Sequence, residues 1–223
     1  MNLNQYIDHT LLKPDANLAQ IEKLCQEARE NNFFSVCVNS YFVKACVQFL
    51  SGSPVKICTV VGFPLGASTM ETKRFEAMKS VAEGAKEIDM VLNISAIKSD
   101  NLQYALDDMS SLAQVCHQQG AILKVILENC LLTLEEKKLV CELAVKAKVD
   151  FVKTSTGFSS GGATIDDVKL MREIVGPNIG VKASGGIRNT ETALAMIQAG
   201  ASRLGTSASV EILKGAKANP ESY

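Results

Sequence analysis

Short apolar runs alternate with amphipathic runs along the whole chain. In the amphipathic runs apolar residues recur every three or four positions, as Leu18, Ile21, Cys25 and Ala28 do, and this spacing predicts helices with one buried face. We interpret the short apolar runs between them as strands. They lie at residues 6–12, 35–39, 55–61, 87–93, 121–128, 151–155, 180–184 and 202–206. The order predicts a repeating strand–helix unit.

Capping residues stand at the predicted helix ends. Thr133 precedes L-E-E with Glu136 three residues later, which is typical of a capping box. Thr164 stands in the same relation to Asp167, and Thr190 precedes another helical run. Glycines are expected to end three of the helices, at Gly84, Gly120 and Gly200.

Eight strand runs and eight helical runs without a Pro-, Gly- or Ser-rich linker predict a single (β/α)8 TIM barrel as one domain over residues 1–223. The repeat of about 28 residues suits a βα unit. An open doubly wound sheet is the alternative. It is disfavoured because no G-x-G-x-x-G follows the first strand and no P-loop occurs. Residues 216–223 are expected to form a mobile C-terminal tail.

Composition narrows the class of protein. The formal net charge of −1 argues against a protein that coats nucleic acid, and no apolar run is long enough to span a membrane. The N-terminal residues do not resemble a signal peptide, so we expect a cytoplasmic protein. The seven cysteines are dispersed without zinc-ligand spacing, which predicts reduced thiols and no metal.

Two histidines are too few for a His-rich metal site. His117 lies in a helical run and is expected at the surface. His9 lies in the first predicted strand and is the better candidate for a site residue, although a lone histidine is more often structural.

Strand parity predicts which side chains point into the barrel. If the continuous apolar face of each strand packs under the helices, five charged residues face the axis: Asp89, Lys124, Glu128, Lys153 and Lys182. Lys124 with Glu128 fits a structural ion pair as well as it fits a site. Lys153 and Lys182 fit a merely structural role less well, because an imperfectly paired buried ion costs several kcal/mol.

Two neighbouring lysines permit amine chemistry. A lysine attacks a carbonyl only as the free amine, and fewer than about one in a thousand is neutral at pH 7 when the pKa is ~10.4. A second ammonium about 5 Å away contributes about 3 kcal/mol of repulsion at an effective dielectric of about 20. This repulsion activates a Schiff-base lysine, and a carboxylate such as Asp89 can carry protons. Parity does not decide whether Lys153 or Lys182 is the nucleophile.

Glycine-rich loops after the last strands favour a phosphate site. Loops that follow strands seven and eight of this fold commonly bind phosphate. Each cluster by itself could be only a turn, but together they indicate a phosphorylated substrate. The two glycine-rich clusters lie at residues 184–186 and 205–207, and residues 154–157 could add hydrogen-bond donors.

These motifs resemble the deoxyribose-phosphate aldolases, a family of class I, Schiff-base enzymes on a TIM barrel. The similarity spans nearly the whole chain. It is carried by IDHTLL, CVN, VVGFPLG…ETK, EIDMVLN, LKVILE, FVKTSTGF, VKASGGIR, RLGTS and a terminal tyrosine. The resemblance implies reversible cleavage of 2-deoxy-D-ribose 5-phosphate to D-glyceraldehyde 3-phosphate and acetaldehyde. It also implies deoxyribose phosphate catabolism, no cofactor, and a homodimer.

The resemblance also assigns roles to residues. Lys153 would form the Schiff base, Lys182 would favour its neutral amine and relay protons, and Asp89 would donate and accept protons. Tyr223 matches a tail tyrosine implicated in proton transfer at the acetaldehyde methyl group. The substrate and phosphate positions would be Asp8, Thr10, Gly157, Gly185, Gly186 and Ser207.

Two positions depart from the family pattern. Phe158 stands where some members carry a phosphate-binding lysine, so backbone amides are expected to matter more here. Asn129 and Cys130 follow Glu128 where Thr often follows, which leaves the role of Glu128 open. Two other functions remain open: an isomerase or epimerase with an electrostatic lysine, and a non-catalytic phosphosugar-binding barrel. Neither would form a borohydride-trapped adduct with acetaldehyde.

Overall fold

The chain closes into a barrel of eight parallel strands. The computed structural model describes residues 2–215, so the tail 216–223 and Tyr223 lie outside the described residues. Each strand pairs with the next, and β8 pairs with β1. The strands are β1 Ile7–Leu11, β2 Ser35–Val38, β3 Lys56–Val61, β4 Glu87–Val91, β5 Ile122–Ile126, β6 Phe151–Lys153, β7 Gly180–Ser184 and β8 Arg203–Thr206. The barrel prediction is confirmed, and the open sheet is wrong.

Helices surround the barrel, one after each strand except β4, which is followed by two within the described residues. They are α1 Leu18–Glu30, α2 Val43–Phe49, α3 Met70–Ala82, α4 Ile94–Lys98, α5 Leu102–Gln118, α6 Leu134–Lys146, α7 Ile165–Val175, α8 Thr190–Gln198 and α9 Ser209–Lys214. Short 3-10 helices occur at Leu3–Tyr6, Ser40–Phe42 and Asn129–Leu131. The short helix α4 is the one that the sequence pattern did not separate.

The expected caps hold with one correction. Thr133 and Glu136 form a reciprocal capping box at α6, and the Thr164 side chain accepts from the Asp167 amide at α7. At α8 the cap is Asn189, whose side chain accepts from the Thr192 amide, and Thr190 is the first helical residue. Thr and Asn are both good N-cap residues. Here the extended backbone, which an N-cap residue adopts, is at Asn189, so the helix begins one residue later, at Thr190.

The apolar faces of the strands pack outward against the helices. Ile88, Met90 and Leu92 belong to this outer core, as strand parity predicted. The seven cysteines are free thiols, and six of them are buried. Among residues 2–215, no helix combines the length and apolarity needed to cross a bilayer. The barrel interior is therefore left to the opposite, more polar face of each strand.

Candidate active site

Lys153 and Lys182 share one carboxylate oxygen inside the barrel. They are register partners on the neighbouring strands β6 and β7. Lys153 Nζ lies 2.9 Å and Lys182 Nζ 2.8 Å from Asp89 Oδ2. The two ammonium nitrogens are therefore less than about 6 Å apart, near the separation assumed for charge activation.

The other oxygen of Asp89 is bound from the opposite side. Lys124 Nζ donates to Asp89 Oδ1 at 2.7 Å, and the Cys58 thiol donates to the same oxygen at 3.1 Å. Lys124 also lies 2.6 Å from Glu87 Oε2. Asp89 is thus held by three lysines from β5, β6 and β7.

Of the two roles left open for Lys124 and Glu128, the ion pair between them does not form: Lys124 pairs with Asp89 and Glu87 instead. Glu128 lies two residues past the end of β5 with a left-handed backbone (φ 55°), so strand alternation no longer sets its direction. Its carboxylate accepts from the Thr156 hydroxyl and, at 3.3 Å, from the Thr156 amide. Glu128 therefore connects the β5–α6 loop to the β6–α7 loop and is not a counterion for Lys124.

A second group of charges continues the network toward the N-terminal ends of the strands. Asp8 Oδ2 lies 2.5 Å from Lys182 Nζ, and Asp8 Oδ1 accepts from Arg203 Nη1 at 2.8 Å. Arg203 Nη1 also lies 3.1 Å from Glu87 Oε2. We call these seven residues the charge cluster: Asp8, Glu87, Asp89, Lys124, Lys153, Lys182 and Arg203. Each is at most 5 % exposed.

Pairing decides the protonation states in the charge cluster. Burial alone would raise the pKa of Asp89, but Lys124, Lys153 and Lys182 outweigh it and hold the pKa well below its usual range. Burial is likewise outweighed at Asp8, where Arg203 and Lys182 lower the pKa. Burial disfavours charged Lys124 and Lys182, yet their carboxylate partners raise both pKa values above the ordinary range. These four groups are ionised at neutral pH.

The two lysines of the site differ in access. A cavity opens at the carboxyl ends of the strands. Among the residues that the structure describes, Lys153 lines this cavity and Lys182 does not. Lys153 is therefore the lysine whose side chain reaches this cavity, a distinction that strand parity could not make. The lining residues are Thr10, Leu11, Leu12, Lys13, Lys153, Thr156, Phe158, Ser184, Gly185, Gly205 and Ser207.

Gly205 leaves room for the second lysine. A Cβ at this position would lie 3.0 Å from Lys182 Cε and 3.0 Å from Ser184 Cβ. A side chain at position 205 would therefore force Lys182 or Ser184 to move, and both are held in the packed barrel interior. The glycine expected only in a phosphate loop therefore also fixes where Lys182 lies.

The predicted binding residues fall into two adjoining spaces. Thr10, Gly185 and Ser207 line the Lys153 cavity. Gly157, Gly185 and Gly186 line a neighbouring polar recess, which Arg188 also lines. The three glycines have φ values of +79° to +85°, a conformation that side chains rarely adopt. Asp8 does not line the cavity; it lies beneath it, against Lys182 and Arg203.

Two other candidates lie apart from the charge cluster. His9 Nδ1 is 2.8 Å from Ser209 Oγ and His9 Nε2 is 2.9 Å from Glu27 Oε2, so His9 joins β1 to α1 and α9. His117 is exposed, as expected, and contacts Asp150 at 2.8 Å. Phe158 lines the cavity and packs edge-on against Phe63, with ring centroids 5.2 Å apart.

Sequence reasoning missed Glu87 and Arg203 as members of the site. Glu87 shares the inward face of Asp89, and this parity was the available signal. Arg203 begins β8, and nothing local in the sequence pairs it with a strand four positions away around the barrel. Lys13 in the cavity and Arg188 in the recess were likewise not selected as site residues, whereas Thr156 and Ser184 fall in the glycine-rich stretches expected near the phosphate.

This geometry defines a class of protein. A parallel barrel that presents one buried lysine to a cavity at the carboxyl ends of its strands, with a second lysine and a carboxylate beside it, is suited to lysine-dependent carbonyl chemistry. The model of the DeoC/LacD family of aldolases matches residues 3–215. The chain belongs to this family, as its motifs indicated.

Named relatives cover the full length of the chain. A deoxyribose-phosphate aldolase of Brevibacillus brevis is 59 % identical over 223 residues and covers 100 % of both chains. Deoxyribose-phosphate aldolase 1 of Bacillus licheniformis is 57 % identical over 215 residues and covers 96 % of both. The solved deoxyribose phosphate aldolase of Aeropyrum pernix, described as tetrameric, superposes with a TM-score of 0.89 at 33 % identity, covering 95 % of this chain and 89 % of that one.

Proposed function

We propose that this aldolase reversibly cleaves 2-deoxy-D-ribose 5-phosphate to D-glyceraldehyde 3-phosphate and acetaldehyde through a Schiff base on Lys153. The observation that carries the proposal is the placement of Lys153 at the cavity, within 2.9 Å of a carboxylate oxygen that Lys182 also contacts. The full-length relatives bearing the same activity in their names support the substrate.

Lys153 is the proposed nucleophile. Its neutral amine adds to C1 of the open-chain sugar, and loss of water gives the iminium ion. A base removes the proton of the C3 hydroxyl, the C2–C3 bond breaks, and its electron pair moves to C2 and the iminium nitrogen as an enamine. Protonation at C2 and hydrolysis then release acetaldehyde and restore the amine.

Asp89 and Lys182 are the proposed proton carriers. In the resting site Asp89 is a carboxylate because three lysines hold it ionised. When Lys153 becomes a neutral carbinolamine, one of these cations is lost and the basicity of Asp89 rises. Asp89 can then accept the proton that the attacking nitrogen loses and donate it to the carbinolamine hydroxyl, which leaves as water, while Lys182 stays a cation beside it.

The phosphate is proposed to bind beside the glycine loops. Gly157, Gly185 and Gly186 line the recess next to the Lys153 cavity, and because glycine has no Cβ a ligand can closely approach their backbone. Ser207 and Thr10 line the same end of the cavity. Phe158 adds no cation, which agrees with a site built more from backbone donors than from the lysine of some relatives.

Four further expectations remain predictions. They are the arrangement of residues 1–223 as a single domain, a homodimer, a cytoplasmic location, and a role for Tyr223 in protonating the two-carbon enamine. The Aeropyrum pernix relative is described as a tetramer, so the assembly is best measured directly by light scattering. Removal of residues 216–223 should leave Schiff-base formation intact and slow exchange of the acetaldehyde methyl protons.

Borohydride reduction in the presence of acetaldehyde tests the proposal. Intact mass and peptide mapping should find one ethyl adduct, on the peptide that carries Lys153, and Lys153→Ala should lose both the adduct and turnover. An adduct on Lys182 would exchange the roles of the two lysines. A folded protein without any adduct would refute the Schiff base and favour an electrostatic lysine of the isomerase type.

A further inference from the structure

We propose that Glu87 and Arg203 are positioning residues that set the charge around Lys153 from the far side of the cluster. This inference rests on the proposed function of Lys153. Neither residue lines the cavity among the described residues, so neither is expected to touch the substrate. Their effect would act through the residues between them and the Schiff base.

Two continuous routes connect Arg203 and Glu87 to the nucleophile. In the first, Glu87 Oε2 lies 2.6 Å from Lys124 Nζ, and Lys124 donates to Asp89 Oδ1 at 2.7 Å. In the second, Arg203 donates to Asp8 Oδ1 at 2.8 Å, and Asp8 Oδ2 lies 2.5 Å from Lys182 Nζ. Both routes end at the Asp89 carboxylate, the first at Oδ1 and the second, through Lys182, at Oδ2, which also contacts Lys153.

The far end of the cluster is enclosed. The Arg203 guanidinium lies 3.5 Å from the centroid of the Phe34 ring and 5.3 Å from that of Phe151. Gly180 permits this arrangement, because a Cβ there would lie 2.1 Å from the Phe151 ring. Arg203 is 5 % exposed and Glu87 is 4 % exposed. Charges so enclosed are weakly screened, so removing one should be felt across the cluster.

The charge count gives the proposal its direction. With every member ionised, four cations face three carboxylates, and the cluster carries one excess positive charge. A neutral Lys153 removes that excess. The titratable and charged groups of the barrel interior around Lys153 come from all the strands except β6. They are Asp8, Cys37, Cys58, Glu87, Asp89, Lys124, Lys182 and Arg203.

Two substitutions should therefore act in opposite directions. Glu87→Gln makes the cluster more positive, so the Lys153 ammonium should lose its proton at a lower pH than in the unmodified protein. Arg203→Met makes the cluster less positive, so the amine should be free only at higher pH. Each shift is expected to be about 0.5–1 pH unit. The double variant restores the charge sum and should return the profile close to that of the unmodified protein.

The experiment measures the initial rate at which cyanoborohydride traps acetaldehyde on the full chain between pH 5 and 9, by intact mass. The trapping rate should fall at low pH, and this fall is the acid limb of the profile. Shifts of the acid limb in opposite directions for Glu87→Gln and Arg203→Met, which cancel in the double variant, support the proposal. No shift, or shifts in one direction, would overturn it. Glu135→Gln, which removes an exposed carboxylate of α6, serves as the control and should leave the limb in place.

Two further results keep the test decisive. If Arg203→Met does not fold, Arg203→Lys keeps the charge and should not shift the limb, and Glu87→Gln alone then decides the outcome. The unmodified protein reports separately on the proposed function, because absence of its Lys153 adduct refutes the Schiff base. A normal adduct with unshifted variants refutes only the roles of Glu87 and Arg203.

Discussion

Within residues 2–215, lysine is buried against aspartate in two places, and the two sites differ in the number of partners. In the charge cluster Asp89 meets three lysines. Between α3 and α5, Lys73 Nζ meets one carboxylate, Asp108 Oδ2 at 2.6 Å, and the Val91 carbonyl at 2.9 Å. Both aspartates and Lys73 are 0 % exposed, so burial is the same and the partners differ.

The difference in partners reverses the direction of the pKa shifts. Burial lowers the pKa of Lys73 and raises that of Asp108, and the single opposite charge on each does not offset it. Asp108 Oδ1 also has no hydrogen-bond partner among the described residues. In the charge cluster the added cations hold Asp89 ionised. The single buried pair joins two helices, whereas the charge cluster surrounds Asp89 with enough cations to keep it ionised.

The largest effect is expected from removing a cation of the cluster. Lys182→Leu should lower kcat/KM by at least about a thousandfold and move the acid limb of the pH profile upward by about 2 units. The reason is that Asp89 and Lys153 then lose the neighbouring positive charge that favours a neutral amine. Steady-state rates across pH measure both effects.

The matched variant lies in the other site. Lys73→Met combined with Asp108→Leu removes a buried lysine and its carboxylate partner together, and should leave kcat/KM within a fewfold of the unmodified value. If Lys182→Leu lowered the rate without moving the acid limb, activation of Lys153 by charge would be wrong.

Much of the fold followed from the sequence, because the barrel repeats one local pattern. All eight strand runs are present, with ends shorter by up to two residues at most termini. Strand parity also placed Asp89, Lys124, Lys153 and Lys182 inward, and the structure brings them into contact. The inference failed at Glu128 because a left-handed residue ends the alternation there.

The remaining parts of the site depend on long-range geometry. Arg203 and Glu87 are 116 residues apart on opposite sides of the barrel, and their contact requires the closed ring and its register. Access to Lys153 but not Lys182 depends on which strand ends at the cavity, since β6 ends at Lys153 whereas β7 continues to Ser184. His9 looked chemical by residue type, but its partners come from two helices.

The second effect concerns stability. Lys73→Met alone should lower the free energy of unfolding by about 3–5 kcal/mol, because it leaves Asp108 buried without its cation. Lys73→Met with Asp108→Leu should recover most of that loss. Urea unfolding at pH 7 measures both. Equal losses in the single and double variants would show that the ion pair itself, rather than the uncompensated charge, accounts for the effect.

The smallest effect is a difference in pH dependence. Asp8 has a lowered pKa in the folded state, so its contribution is present above the unfolded pKa of ~3.9 and is lost as pH falls below it. The stability gap between the unmodified protein and Asp8→Asn should therefore narrow by about 1 kcal/mol between pH 5 and 3. Urea unfolding at several pH values provides the measurement.

Asp108 should show the opposite sign. Its pKa is raised in the folded state, so its contribution is present below ~3.9 and is lost as pH rises through the folded pKa. The gap between the unmodified protein and Asp108→Asn should then be larger at pH 4 than at pH 7. Gaps that move in the same direction for Asp8 and Asp108 would mean that the number of opposite charges does not determine how these two buried sites hold their protons.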